Sequence, residues 1–324
     1  MKPAFIITID TEGDNLWARP QEITTKNATF LPRFQELCEK YSFKPTYLTN
    51  YEMALDRNFV GFARQLISQD KAEVGMHLHA WNSPPIRLLT FDDYLLHPYL
   101  VEYPEADMRA KISYLTDLLE ETFSKKMVSH RAGRWAFNSQ YAKILVESGY
   151  KVDCSVTPGI SWSSTKGNPS GIGGSDYRDF PHSQYVIDLS DVSKLGNSGL
   201  LEMPMTIMDS LGPRYAVFLR SIRGARRLVN KKWPEKAWLR PNGSNLAAMI
   251  LIVNKATEQN RPYIEFMLHS SEFMPGGSPN FPDDAAIEKL YVDLDALFSV
   301  VSKKFQGMTL ESYRKVYVDD KNLS

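Results

Sequence analysis

Phe5-Ile-Ile-Thr-Ile-Asp-Thr-Glu-Gly13 reads as a buried strand that ends in two carboxylates, Asp10 and Glu12. Its near-continuous apolar run is that of a parallel strand covered on both faces. Side chains at i and i+2 of a strand share a face, so both acids point the same way. A second stretch, Glu73-Val-Gly-Met-His-Leu-His-Ala-Trp81, repeats the device with His77 and His79. Either pattern alone is common in proteins without metals. Together, on separate strands of one chain, they supply two imidazoles and a carboxylate. That is the ligand set of a divalent ion with positions left open for water and substrate.

Outward from these two stretches, strand-like and helix-like segments alternate. Strands are expected at 5–10, 45–50, 73–79, 127–131, 151–156, 186–190, 200–207 and 263–270. Helices are expected near 28–41, 58–69, 105–125, 138–148, 244–258 and 283–304. Asn138 is a good N-cap and Gly149 a good C-terminal stop for the fourth helix. This βα rhythm predicts one α/β domain over residues 1–324, closed as a distorted (β/α) barrel. Two regions break the rhythm. Residues 158–185 are rich in Gly, Ser and Pro and predict a long loop over the barrel mouth. Residues 213–240 carry nine Lys or Arg against one acid, Glu235, and predict a basic helical insertion that includes Arg223, Arg226 and Arg227.

The composition narrows the function. The 324 residues are 43% hydrophobic, enough for a full core. Thirty-eight basic and 38 acidic residues cancel, which argues against a protein built to coat nucleic acid. Cys38 and Cys154 fall in predicted elements and read as small core residues. The apolar run near the N-terminus is too short for a signal sequence, and no stretch approaches the roughly 18 apolar residues of a membrane span. A cytoplasmic protein is the expectation.

In an α/β barrel, functional residues gather at the C-terminal ends of the strands. Asp10, Glu12, His77 and His79 obey this. So do Arg131 and Arg134 in Ser129-His-Arg-Ala-Gly-Arg-Trp135, Asp153 in the fifth strand, and His269 and Glu272 in Phe266-Met-Leu-His-Ser-Ser-Glu272. A divalent ion on such a site acidifies water and polarises a carbonyl. A nearby carboxylate takes a proton, and a histidine returns one to a leaving amine. An arginine beside the base keeps it ionised. Trp17, Trp81 and Trp135 lie in or beside these motifs, where they either pack or stack on sugar rings. Asp153 either binds a sugar hydroxyl, positions Arg131 or satisfies buried backbone. Glu272 either orients His269 or caps a turn. His130 faces away from Arg131 and reads as core. His97 and His182 read as surface or loop residues.

These motifs, in this order, resemble the polysaccharide deacetylases with the NodB homology domain, carbohydrate esterase family 4. The resemblance spans residues 4–160 and 200–275 as five short motifs. The family's Thr-Phe-Asp-Asp-Gly becomes Thr8-Ile-Asp-Thr-Glu-Gly13, which implies Asp10 as base and passes the metal-binding duty to Glu12. Its His-x-x-x-His becomes His77-x-His79, with Trp81 at the usual second position. Arg131 matches the arginine that contacts the base, and His269 matches the acid of a loosely kept Leu-x-His. The departures resemble a WalW-like branch, with Asp10-Thr-Glu-Gly-Asp14, His77-Leu-His79, and His269-Ser-Ser-Glu272 followed by Pro275-Gly-Gly-Ser-Pro279. The resemblance implies a carbohydrate N-deacetylase with catalytic Asp10, Arg131 and His269. It implies one divalent ion, zinc (or Mn, Co or Ni), on Glu12, His77 and His79. Trp17, Trp81, Arg134, Trp135, Asp153 and Glu272 become substrate-binding candidates.

The expected substrate is an N-acylated amino sugar in surface-polysaccharide assembly. The basic stretch adds a nucleotide- or lipid-diphosphate carrier, or the inner membrane surface, as partner. The rival readings are an amidase for a non-sugar amide or cyclic ureide, and a catalytically silent glycan-binding module.

Overall fold

The computed structural model describes residues 2–209, 222 and 235–322. The first strand, β1 (Ala4–Thr11), is buried along its whole length. It is followed by β2 (Thr46–Thr49), β3 (Glu73–Leu78), β4 (Ser129–Ala132), β5 (Val152–Asp153), β6 (Tyr185–Asp188), β7 (Asp191–Leu195) and β8 (Leu201–Glu202). The described chain adds β9 (Ile207–Asp209), β10 (Lys236–Trp238), β11 (Tyr263–His269) and β12 (Gln306–Met308). The main sheet runs β11-β1-β2-β3-β4-β5-β8-β6-β7. From β11 to β8 all neighbours are parallel, and β6 and β7 finish it antiparallel. Because β11 takes one edge of β1, its other edge is shared. Ala4–Ile6 pair β12 and Thr8–Thr11 pair β2.

Among the described residues the curled sheet does not close as a ladder. Irregular backbone at 203–206 spans the gap instead. Met205 N–H donates to Val156 O at 2.9 Å, and the Thr206 hydroxyl accepts from Glu265 N–H at 2.8 Å. The helices are α1 (Leu31–Lys40), α2 (Tyr51–Leu55), α3 (Arg57–Ser68), α4 (Asp93–Leu96), α5 (Glu105–Phe123), α6 (Ser139–Glu147), α7 (Leu246–Glu258) and α8 (Asp284–Lys304), which pack around the sheet, and α9 (Leu310–Asn322), which lies at the base of the interior. As expected, the Asn138 side chain caps α6 by accepting from Tyr141 N–H, and Gly149 takes a φ of 92° just past its end. The result is the α/β fold expected from the sequence, with a half-barrel in place of a closed one.

Strand alternation divides the molecule. On β1, Phe5, Ile7 and Ile9 enter the main core under the helices. Ala4 and Ile6 enter a smaller interior cluster with Leu48, Val152, Cys154, Met203 and Tyr263. Thr8, Asp10 and Glu12 share the parity of Ala4 and Ile6. The interior column thus runs from apolar at the base to acidic at the mouth. Both cysteines are buried and free. Of the stretch read as a basic helical insertion, Lys236–Trp238 forms a strand, while Arg223, Arg226 and Arg227 lie outside the described residues. Among the described residues no helix is long and apolar enough to cross a membrane.

The base of the half-barrel is stoppered by α9, which the sequence reading did not anticipate. Leu310 and Tyr313 fill the interior cluster. Glu73, the first residue of β3, is buried and accepts from Thr46 Oγ1 at 3.1 Å, from the Ser129 hydroxyl, and from Glu311 N–H at 2.9 Å. This one carboxylate joins three elements at the end of the sheet opposite Asp10. Glu73→Ala leaves those donors buried without a partner and is expected to cost roughly 2 kcal/mol. Urea unfolding tests this, and an unshifted midpoint would show that Glu73 does not hold α9.

Candidate metal centre

At the mouth, β1 and β3 deliver their ends to one point. Glu12, His77 and His79 are buried, and one ligand atom from each lies within 4.8 Å of the others. His77 Nε2 and His79 Nε2 are 3.1 Å apart, and His79 Nε2 is 2.8 Å from Glu12 Oε2. His77 Nδ1 sits 3.0 Å from the Arg131 carbonyl, which accepts its proton and leaves the Nε2 lone pair facing the centre. Two such lone pairs at 3.1 Å repel one another unless a proton or a cation lies between them. A cation also satisfies Glu12, so the donor set fits a divalent ion. Burial opposes the charge on Glu12. Nearby His269, with hydrogen bonds to His77 and His79, outweighs it and holds this carboxyl well below the usual range.

Asp10 stands beside this triad. Its Oδ2 is 3.8 Å from His77 Nε2, and its Oδ1 accepts from Arg131 Nη1 at 2.6 Å. Burial alone would raise its pKa, but Arg131, His77 and His269 together hold it low, so Asp10 is ionised. Arg131 is fully buried beneath it. Its other donors reach Thr8 Oγ1 at 2.8 Å, Cys154 O at 3.1 Å and Glu265. Arg131 therefore positions Asp10 from below and does not line the cavity. Glu265, which sequence reasoning passed over, is pushed up to about 7, chiefly by burial.

His269 pairs with Asp10 across the β1–β11 ladder. Its Nε2 lies 3.8 Å from Asp10 Oδ2 and 3.9 Å from Glu12 Oε1. Its Nδ1 is 3.0 Å from Glu272 Oε2, which also accepts the His269 amide at 2.9 Å. Glu272 is completely buried, lies against His269 and does not line the cavity. Arg240 Nη2 comes within 3.2 Å of the same carboxylate.

The loops hold this arrangement closely. Ser270 Oγ accepts from Glu12 N–H and donates to Glu12 O, each at 3.0 Å, tying the end of β1 to that of β11. Asp14 accepts from Lys26 N–H, Asn27 N–H and Thr24 Oγ1, which fixes the loop after the acids. Gly133 has room for no side chain. A Cβ there would lie 2.4 Å from Leu78 O and 2.6 Å from His79 Nδ1. The chain then passes through two left-handed residues, Arg134 (φ 53°) and Trp135 (φ 60°), which turns both over the site.

The cavity above the triad, about 410 Å³, is lined by Trp17, Trp81, Arg134 and Trp135 together with Asp10, Glu12, His77, His79 and His269. Trp17 meets His269 edge-on at 4.8 Å, and Trp81 lies 4.3 Å from the His79 ring. Asp153 is elsewhere. Its neighbours Val152 and Cys154 point inward, so by alternation it faces the helices, where it bonds His130 Nδ1 at 2.6 Å and Ser155. With no exposed surface, it has no path to a sugar hydroxyl. His130 is core, bonded also to Tyr141. Among the lining residues that sequence reasoning missed are Tyr94, stacked on Trp81 at 4.4 Å, Trp162, Arg19 and Arg240. Arg19 belongs to a loop without periodicity, and Tyr94 to α4, which at four residues is too short for a period to show. Arg240 was hidden in the charge of the basic stretch.

No family model and no curated protein matches the chain. Similar solved structures include a Mycobacterium smegmatis protein assigned as a polysaccharide deacetylase (TM-score 0.54, 13% identity, 99% of this chain and 92% of that one). Another is a Parabacteroides distasonis protein assigned as a glycoside hydrolase or deacetylase (TM-score 0.63, 9% identity, 98% and 71%). A third is a GH57-type branching enzyme from Pyrococcus horikoshii (TM-score 0.55, 9% identity, 98% and 71%). At these identities the likeness establishes the fold: the curled α/β half-barrel of the NodB polysaccharide-deacetylase type.

Proposed function

We propose that the protein is a metal-dependent hydrolase that removes an N-acetyl or similar acyl group from an amino sugar. The observation that carries this reading is the convergence of Glu12, His77 and His79 within 4.8 Å, beside an ionised Asp10 and a His269 held by Glu272. A bound divalent ion supplies Lewis acidity and makes water a stronger acid. The rest falls to side chains. Asp10, kept ionised by Arg131, takes a proton from the attacking water. His269 offers Nε2 to the nitrogen of the scissile amide and donates the proton without which an amine leaves poorly. Glu272 accepts from Nδ1–H and so fixes the ring with Nε2, which as the acid carries the imidazolium's second proton, aimed at the cavity. The aromatic walls from Trp17, Trp81 and Trp135 suit the faces of sugar rings. The motif set shared with the WalW-like branch supports a place in surface-glycan assembly.

The metal is tested first. The purified protein is expected to bind one divalent ion per chain by elemental analysis, and His77→Ala to lose most of it. Full activity after exhaustive chelation would sink metal dependence. For the base, Asp10→Asn is expected to lower kcat on an N-acetyl sugar by ~10²–10⁴ while retaining the ion. Equal loss of metal in Asp10→Asn and His77→Ala would instead make Asp10 a ligand. For the acid, His269→Ala is expected to lower amide hydrolysis by about 10² or more, yet to spare aryl acetates, whose leaving group needs no proton. Equal losses on both substrates would remove His269 from that role.

A further inference from the structure

The cavity holds more positive charge than its chemistry uses. Arg131 is matched by Asp10, and Arg240 by Glu272. Glu12 faces the metal position. Two further guanidiniums line the same cavity, Arg19 and Arg134. Among the described residues neither has a carboxylate within 4.0 Å, although the chain as a whole is neutral. Arg134 lies with Cζ 5.3 Å from the Tyr99 ring centroid. Glu102 feels its charge but already accepts from Tyr99 N–H at 3.1 Å. Arg19 and Arg134 line this cavity together with the Tyr94 ring. That ring stacks on Trp81 (9° between planes), and Trp81 packs on His79. The two arginines therefore line the same cavity as an aromatic wall that begins at the proposed metal ligands. Arg19 and Arg134 both have left-handed backbone, at φ 49° and 53°, a conformation that costs a non-glycine residue energy and is retained where placement matters.

We infer that Arg19 and Arg134 form a subsite for an oxyanion carried by the substrate, so that the preferred amino sugar is a charged one, bearing a carboxylate or a phosphoryl group. Guanidinium forks suit both, and cations without a carboxylate partner in a cavity draw anions in. This rests on the proposed deacetylation for the word substrate, but the anion subsite stands on its own geometry.

The test has two arms. In turnover, metal-loaded protein is given N-acetylglucosamine, its 1-phosphate, UDP-N-acetylglucosamine and an N-acetylated aminouronic acid. At least one anionic sugar is expected to exceed the neutral one in kcat/KM by roughly tenfold or more, the scale of a charge-assisted contact. Which anion wins decides between phosphoryl and carboxylate. Arg19→Gln with Arg134→Gln is expected to bring that ratio toward unity. In binding, calorimetry of N-acetylglucosamine 1-phosphate and the aminouronic acid on metal-loaded Asp10→Asn is expected to show affinity that falls roughly tenfold in the same double variant. Arg19→Gln alone, at an exposed position, guards against misfolding and is expected to give part of that loss. Binding without turnover of any sugar would support the subsite while refuting the deacetylase reading. Equal kcat/KM for neutral and anionic sugars, or anion affinity indifferent to the substitutions, would overturn the inference.

Discussion

The guanidinium of Arg131 is the point on which the structure turns. It lies inside the half-barrel with no exposed surface and touches Thr8 and Asp10 on β1, Glu265 on β11 and Cys154 O just past β5. Its backbone carbonyl meets His77 on β3. A buried cation of this kind adds little net stability, because its desolvation offsets the attraction of its partners. What it does is fix geometry. Its donors tie the inner strands into one arrangement, and in that arrangement Asp10 and His77 stand side by side at the mouth.

Period-two alternation carries the same logic outward. One parity of each inner strand packs beneath the helices and the other faces the interior. That is why acids and imidazoles two residues apart arrive together, and why Asp153, one residue out of step with Cys154, does not. The interior column is apolar where α9 stoppers the base and charged where solvent enters. Stability and chemistry are thus separated along one axis.

Much of this was legible in the sequence. The long buried strands β1, β3 and β11, with their polar ends, show in hydropathy and spacing alone, and the acids and histidines read from them converge in space. The elements that escaped are short or set by distant partners. β12 has three residues, with Gly307 pressed against Phe43, too few for a period to show. The polar helix α9 is ordered by Thr46 and Glu73, more than two hundred residues earlier. Asp153 was misplaced because a strand-end acid and a strand acid facing the helices look alike until register is known. Arg19 and Trp162 belong to aperiodic loops and Tyr94 to the single turn of α4, where position depends on hydrogen bonds such as that from Tyr94 to Leu16 O.

The pairing of β1 has a bearing on how the chain is made. Ala4 is matched with Tyr263 on one side and Gln306 on the other. During synthesis the first strand leaves the ribosome long before either partner exists, with its apolar face and one unpaired edge exposed. Only the β2 side finds its neighbour early. Contacts this distant in sequence form slowly, and unpaired apolar edges are prone to join other chains. Completion of the half-barrel, and of the Asp10–His269 pair with it, therefore waits until β11 has emerged.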